Sequence, residues 1–208
     1  MCDILACGKV KIAVLVSGGG TNLQALIDAR KSGIIKDGEI TLVISNKASA
    51  FAVKRAENAG IPCEIITKKE CGSAELFEKK MLDTLHKNQI DLIVLAGFMS
   101  ILSENFTSAY PNRILNIHPS LIPSFCGDGF YGLKVHEAAL AYGVKVTGAT
   151  VHFVNEVTDG GEIIMQKAVE VMPGDTPEIL QERVMRQAEH IILPQAVQLV
   201  CSKIINSK

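Results

Sequence analysis

The 208-residue chain contains no tryptophan, and aromatic residues make up only 5% of it. It carries no excess of one charge: 21 Lys and Arg face 22 Asp and Glu, a formal net charge of −1. That balance argues against the broad basic footprint needed to bind along a nucleic acid, but leaves room for one local anion site. The six cysteines (Cys2, Cys7, Cys63, Cys71, Cys126 and Cys201) form no C-x-x-C pair. No paired Cys/His spacing points to zinc, so no metal is expected. A chain of this length needs no disulfide staples, and the cysteines read as reduced thiols of a cytoplasmic protein. No apolar run reaches the roughly 18 residues of a membrane span. "ILACG", residues 4–8, has the outline of a lipoprotein cleavage box, but Asp3 and the lack of an apolar segment before Cys7 argue against one. Residues 1–9 are expected to form a short tail.

The chain does have enough apolar residues, 48%, for one substantial core, and a single domain over 1–208 is expected. "VKIAVLV" (10–16) is a β-branched run that suits a strand buried on both faces. Helical periodicity follows over 21–33, then a strand at 39–45, a helix at 50–60, a strand at 62–67 and a long amphipathic helix at 73–89. Strands at 91–97 and 113–118 continue the rhythm. This alternation predicts an α/β fold, a mostly parallel twisted sheet with helices on both faces. The C-terminal half departs from it. A helix at 132–143 is followed by strands at 146–154 and 161–171, joined by a loop short enough to make them antiparallel. Thr176 and Pro177 mark the start of a closing helix that runs to about Lys203.

In such sheets ligands bind outside the carboxyl ends of the strands, and the polar interruptions fall there. "SGGGTNLQ" (17–24) joins strand to helix. It fits neither the dinucleotide fingerprint nor a Walker A loop, so it is either a small phosphate cradle or a tight turn. Asn22 could close this loop by bonding its backbone. In "RILNIHP" (113–119), strand alternation puts Asn116 and His118 on one side, about 7 Å apart. A carboxamide donor beside an imidazole suits a developing oxyanion; the same pair could equally satisfy loop backbone. Asp159-Gly160 is by itself a turn signal. It becomes functional only if Asp159 faces His118. Of the other histidines, His86 reads as part of a solvated helix face and His136 as structural. His152 suits a core position or a site role equally.

Seven strings occur in order between Lys11 and about Val200: "VLVSGGGTNLQALID", "VISNKA", "AGIP", "VLAGFMSIL", "LNIHPSLIP", "TGATVHFV" and "TDGGEII". Together they resemble the phosphoribosylglycinamide formyltransferase family. The resemblance implies a Rossmann-like formyltransferase fold and formyl transfer from 10-formyltetrahydrofolate, as co-substrate, to glycinamide ribonucleotide in purine synthesis. It also implies small-molecule partners and a monomer or homodimer. By position it implies Asn116, His118 and Asp159 as the catalytic trio, and Gly18, Gly19, Gly20, Thr21 and Asn22 as the phosphate loop. Met99, Ser100, Ile101 and Leu102 match the wall around the pterin. Val154, Asn155 and Glu156 match the folate-side loop, to which Asn116 also contributes. Glu189 matches the acid that contacts the amine or ribose of the substrate. Two departures stand out: Ser100 replaces an Arg common in the family, and the 124–140 segment is longer and more aromatic than the family's short form.

Overall fold

The computed structural model describes residues 8–207. The expected tail therefore lies largely outside the described residues, as do Cys2 and Cys7. Among the described residues seven strands join one sheet in the order β3-β2-β1-β4-β5-β6-β7. They are β1 (Val10–Val16), β2 (Gly38–Ser45), β3 (Cys63–Ile65), β4 (Leu92–Leu95), β5 (Ile114–His118), β6 (Val146–Phe153) and β7 (Ile163–Glu170). The first five run parallel, while β6 and β7 run antiparallel to their neighbours, as the change of sequence rhythm predicts.

Strand alternation divides the core. Ile12, Val14 and Val16 of β1 face a cluster built with α1 (Thr21–Lys31), α2 (Phe51–Asn58) and α8 (His190–Asn206). Ala13 and Leu15 face the other cluster, filled by Phe77, Met81 and Leu85 of α4 (Ala74–Lys87) and Phe106 of α5 (Glu104–Ala109). Each face of β1 is therefore dry, which is why its sequence shows no polar alternation. Ser73 and Ser103 cap α4 and α5 by accepting from Leu76 N–H and Phe106 N–H. The short helices α3 (Lys68–Cys71) and α5 are additions to the sequence reading. At four and six residues they are too short for hydrophobic periodicity to show.

The closing helix is not continuous. Helix α7 (Pro177–Val184) starts on the expected Thr176 cap, then gives way to a π-helical turn over Met185–Glu189 before α8. Such single π turns place an extra residue within a helix and commonly mark functional sites. Among the described residues no helix is long and apolar enough to cross a membrane.

The strand order reverses between β1 and β4, so the chain leaves their carboxyl ends in opposite directions and opens a crevice there. The Gly loop leaves β1 at this point and the 96–102 segment leaves β4. Ser17 Oγ accepts the Met99 N–H at 2.8 Å and holds the two loops side by side.

Candidate active site

A cleft of about 920 Å³ occupies this crevice. Thr21, Asn22, Met99, Ser100, Ile101, Leu102, Asn116 and His118 all line it. So do Val154, Asn155, Glu156, Asp159 and Glu189, together with His136 and His152. Nearly every residue singled out from the sequence thus converges, although these positions span the chain from residue 21 to 189. The exceptions are Gly18, Gly19 and Gly20, which precede the lining residues. Gly18 and Gly19 are exposed.

The glycine loop is held from behind. Gly18 O accepts from Ala52 N–H at 3.1 Å, and Gly19 O from Arg55 Nε–H at 2.9 Å. Gly20 has φ +71°, and a Cβ there would lie 2.7 Å from Ala52 Cβ, so this position requires glycine for both conformation and space. No side chain caps the start of α1, which leaves its first N–H groups available to an anion. Asn22 does not close the loop. Its Nδ2–H instead donates to Glu189 Oε2 at 2.7 Å, across the floor of the cleft. Burial pushes the Glu189 carboxyl up, and the Asn22 donor only partly offsets this.

The 96–102 wall is apolar at its rim. Met99 is 51% and Ile101 74% exposed, while Leu102 turns into the core. Ser100 Oγ accepts from Asn46 Nδ2–H at 3.1 Å, tying this wall to the end of β2.

At the end of β5 the polar groups are packed tightly. His118 is 4% exposed and His152, on the neighbouring strand, 1%. Antiparallel pairing sets Asn116 opposite His152 and His118 opposite Thr150. Asp159 Oδ2 lies 3.5 Å from His118 Nδ1, and its Oδ1 lies 3.6 Å from His152 Nε2. The condition for a functional Asp159 is therefore met. Its turn brings it there: Asp159 has φ +53°, and Gly161 lies so close to Phe153 that a Cβ would fall 1.8 Å from the Phe153 carbonyl. Burial pushes Asp159 up, but the facing His152, the Gly127 N–H donor at 2.9 Å and the nearby His118 outweigh it, and the carboxyl sits below its usual range.

The 124–132 segment supplies two backbone contacts that sequence reasoning missed. Phe125 O accepts from His118 Nε2–H at 2.9 Å, and Gly127 N–H binds Asp159. Backbone groups carry no side-chain signal, so nothing in the sequence could have assigned them. The segment is anchored underneath: Thr150 Oγ1 donates to Ser120 O at 2.7 Å and accepts from Ile122 N–H at 3.1 Å, while Gln166 Nε2–H donates to Ile122 O at 3.0 Å. Burial lowers the His118 pKa, against the opposing pull of the Phe125 carbonyl and Asp159. His136, read as structural, lies in α6 (Leu133–Tyr142) with 0% exposure, and among the described residues neither of its ring nitrogens has a partner. Burial depresses it to about 4.

Among the described residues no cluster of three or more His, Cys, Asp or Glu could hold a metal ion. The arrangement offers an amide donor, an imidazole backed by a carboxylate, and an anion-ready helix start on one cleft. It can stabilise an oxyanion on a substrate whose acidic end sits at α1.

The model of the family described as "Formyl transferase" matches residues 10–197. The chain is 50% identical over 194 residues to the trifunctional purine biosynthetic protein adenosine-3 of Gallus gallus, covering 93% of this chain and 19% of that protein. It is 39% identical to the chloroplastic phosphoribosylglycinamide formyltransferase of Arabidopsis thaliana, covering 94% of this chain and 66% of that one. The crystal structure of glycinamide ribonucleotide transformylase 1 from Symbiobacterium toebii is 40% identical and superposes with a TM-score of 0.89, covering 98% of this chain and 92% of that chain. The chain thus spans about a fifth of the multifunctional animal relative but nearly all of the bacterial enzyme. With the family match running from the first residue of β1 well into α8, this chain belongs to the formyl transferase family.

Proposed function

We propose that the protein transfers the formyl group of 10-formyltetrahydrofolate to the amine of N1-(5-phospho-D-ribosyl)glycinamide, giving the N-formyl product and tetrahydrofolate, in purine biosynthesis. The observation that carries this reading is the meeting of Asn116, His118 and Asp159 at one end of the cleft, with the uncapped start of α1 and Glu189 also bordering it. That spread suits a phosphorylated amine substrate whose phosphate and nucleophile must be gripped separately.

The phosphate sits against the Gly18–Gly20 loop and the N–H groups of Thr21 and Asn22. Glu189, held by Asn22, binds the amine or ribose end. The pterin lies against Met99, Ser100, Ile101 and Leu102, opposite Val154, Asn155 and Glu156. The amine nitrogen attacks the formyl carbon, and the carbonyl π pair moves onto oxygen. An Asn116 N–H stabilises that oxyanion. His118 is depressed in the free protein, with its Nε2–H on Phe125 O; an oxyanion beside the ring raises its proton affinity, so Nδ1, which faces Asp159, takes or shares a proton as charge develops. Asp159 orients the ring and balances that charge. Collapse breaks the bond from carbon to the folate nitrogen, which leaves with a proton originating on the attacking amine. The electrophile is an activated amide and needs no metal to polarise it.

The reading includes a single catalytic domain that acts as a monomer or homodimer. The net charge of −1 supports small-molecule partners over nucleic acid. Free thiols at Cys63, Cys71, Cys126 and Cys201 support a reducing, cytoplasmic setting. The test is product analysis with purified protein. Formyl glycinamide ribonucleotide should form only when both substrates are present; release of free formate without the amine would point to a hydrolase instead.

A further inference from the structure

We infer that His152 is a positioning residue that fixes which way the Asn116 carboxamide faces. The inference builds on the formyl-transfer reading above by naming what prepares its oxyanion donor. The contacts start at a backbone carbonyl. His152 Nδ1 lies 2.7 Å from Phe153 O, an atom that can only accept, so Nδ1 carries the ring proton. A neutral ring then has a bare lone pair at Nε2. Asn116 Nδ2 lies 3.2 Å from that nitrogen, so the amide turns its NH₂ end toward His152 and donates one N–H to it. The second N–H is left for another acceptor, and Asn116 borders the cleft.

Among the described residues His152 is the hydrogen-bond partner of the Asn116 side chain, so without this ring nothing would choose between its two amide orientations. With the amide reversed, Oδ1 would face a developing oxyanion and repel it. Asp159 Oδ1 lies 3.6 Å from Nε2 against 3.2 Å for Asn116 Nδ2, so the amide is the nearer partner of that nitrogen. His152 is 1% exposed and sits directly across the β5–β6 ladder from Asn116, so the contact is held by sheet register rather than by a flexible loop. The Phe153 carbonyl, the His152 ring and the Asn116 amide thus form a relay of hydrogen-bond polarity that needs no change of charge. Outer groups that orient a reacting group commonly change rates by one to two orders of magnitude when lost.

The experiment has two arms. Long-range ¹H–¹⁵N spectra of the wild-type imidazoles should find the His152 proton on Nδ1 with Nε2 bare; a proton on Nε2 overturns the inference whatever the reaction proves to be. Kinetics should then separate orientation from binding. His152→Leu, which cannot accept, should lower kcat roughly 10- to 100-fold while both KM values move less than about threefold. His152→Gln can present Oε1 to Asn116 and its NH₂ to Asp159, and should recover most of that loss. A folded His152→Leu protein with unchanged kcat, or a Gln variant no better than Leu, would overturn it. Wild-type protein inactive in formyl transfer would instead count against the function reading, with the spectra still deciding this one.

Discussion

Asn22 Nδ2–H donates to Glu189 Oε2 at 2.7 Å, joining the first helix to the π turn near the other end of the chain. Burial raises the Glu189 pKa, so the folded state holds this proton more tightly than the unfolded chain does. Glu189 therefore favours the folded state at acid pH, and that stability is lost as pH rises past the ordinary carboxyl range. Glu189→Gln keeps an acceptor for Asn22 without the charge. Its Tm at pH 7 should equal or exceed wild type, while KM for the ribonucleotide rises about tenfold from the lost charged contact. Thermal melts beside steady-state kinetics check both; a drop in Tm with unchanged KM would make Glu189 a structural acid only.

Asp159 pulls the His118 pKa upward against burial. Asp159→Asn removes that pull, so His118 should titrate at still lower pH than in wild type. Since the proposed reaction needs His118 to accept charge, kcat should fall roughly 100-fold. NMR titration of the His118 ring gives the first result and single-turnover kinetics the second. An upward shift of His118 would reverse the assigned role of Asp159.

His136 is depressed to about 4 by burial, with proximity to His118 adding to the effect. The unfolded chain takes up a proton near pH 6.5 and the folded chain does not until far lower. Its contribution is therefore full above pH 6.5 and lost as pH falls toward 4, on the order of 3 kcal/mol in all. Urea unfolding across this range should show a shallower loss for His136→Leu than for wild type. Parallel curves would mean that His136 is neutral or charged alike in both states.

A Cβ at Gly161 would lie 1.8 Å from the Phe153 carbonyl, so Gly161→Ala must push the 155–161 turn away from β6. Asp159 is two residues away and would move with it. Overpacking of this kind costs roughly 1–3 kcal/mol, but activity should fall by more than that stability loss implies. Unfolding and kinetic measurements on the same preparation make the comparison; equal wild-type activity would show that the turn has room.

The sheet was legible because buried parallel strands are written as apolar runs and the antiparallel pair as two long strands joined by a short loop. The meeting of Asn116 with His118 could be read from strand alternation alone. Asp159 could not, because a turn brings it there, and only the family resemblance raised it above a turn residue. The side-chain partner of Asn22 was not legible for a related reason: Glu189 lies on a π turn, and the sequence pattern there looks like continuous helix. The contacts of Phe125 O and Gly127 N–H were invisible because any residue type supplies a backbone carbonyl or N–H. His152 stayed ambiguous since burial and site contact coincide: it is 1% exposed and still reaches both Asn116 and Asp159.

The most direct test follows formyl transfer from 10-formyltetrahydrofolate to glycinamide ribonucleotide in a single turnover, with wild type and a folded His118→Ala protein side by side. The account predicts formylated product from wild type and a rate at least about 100-fold lower in the variant. No product from wild type, or near-equal rates from the two proteins, would contradict it.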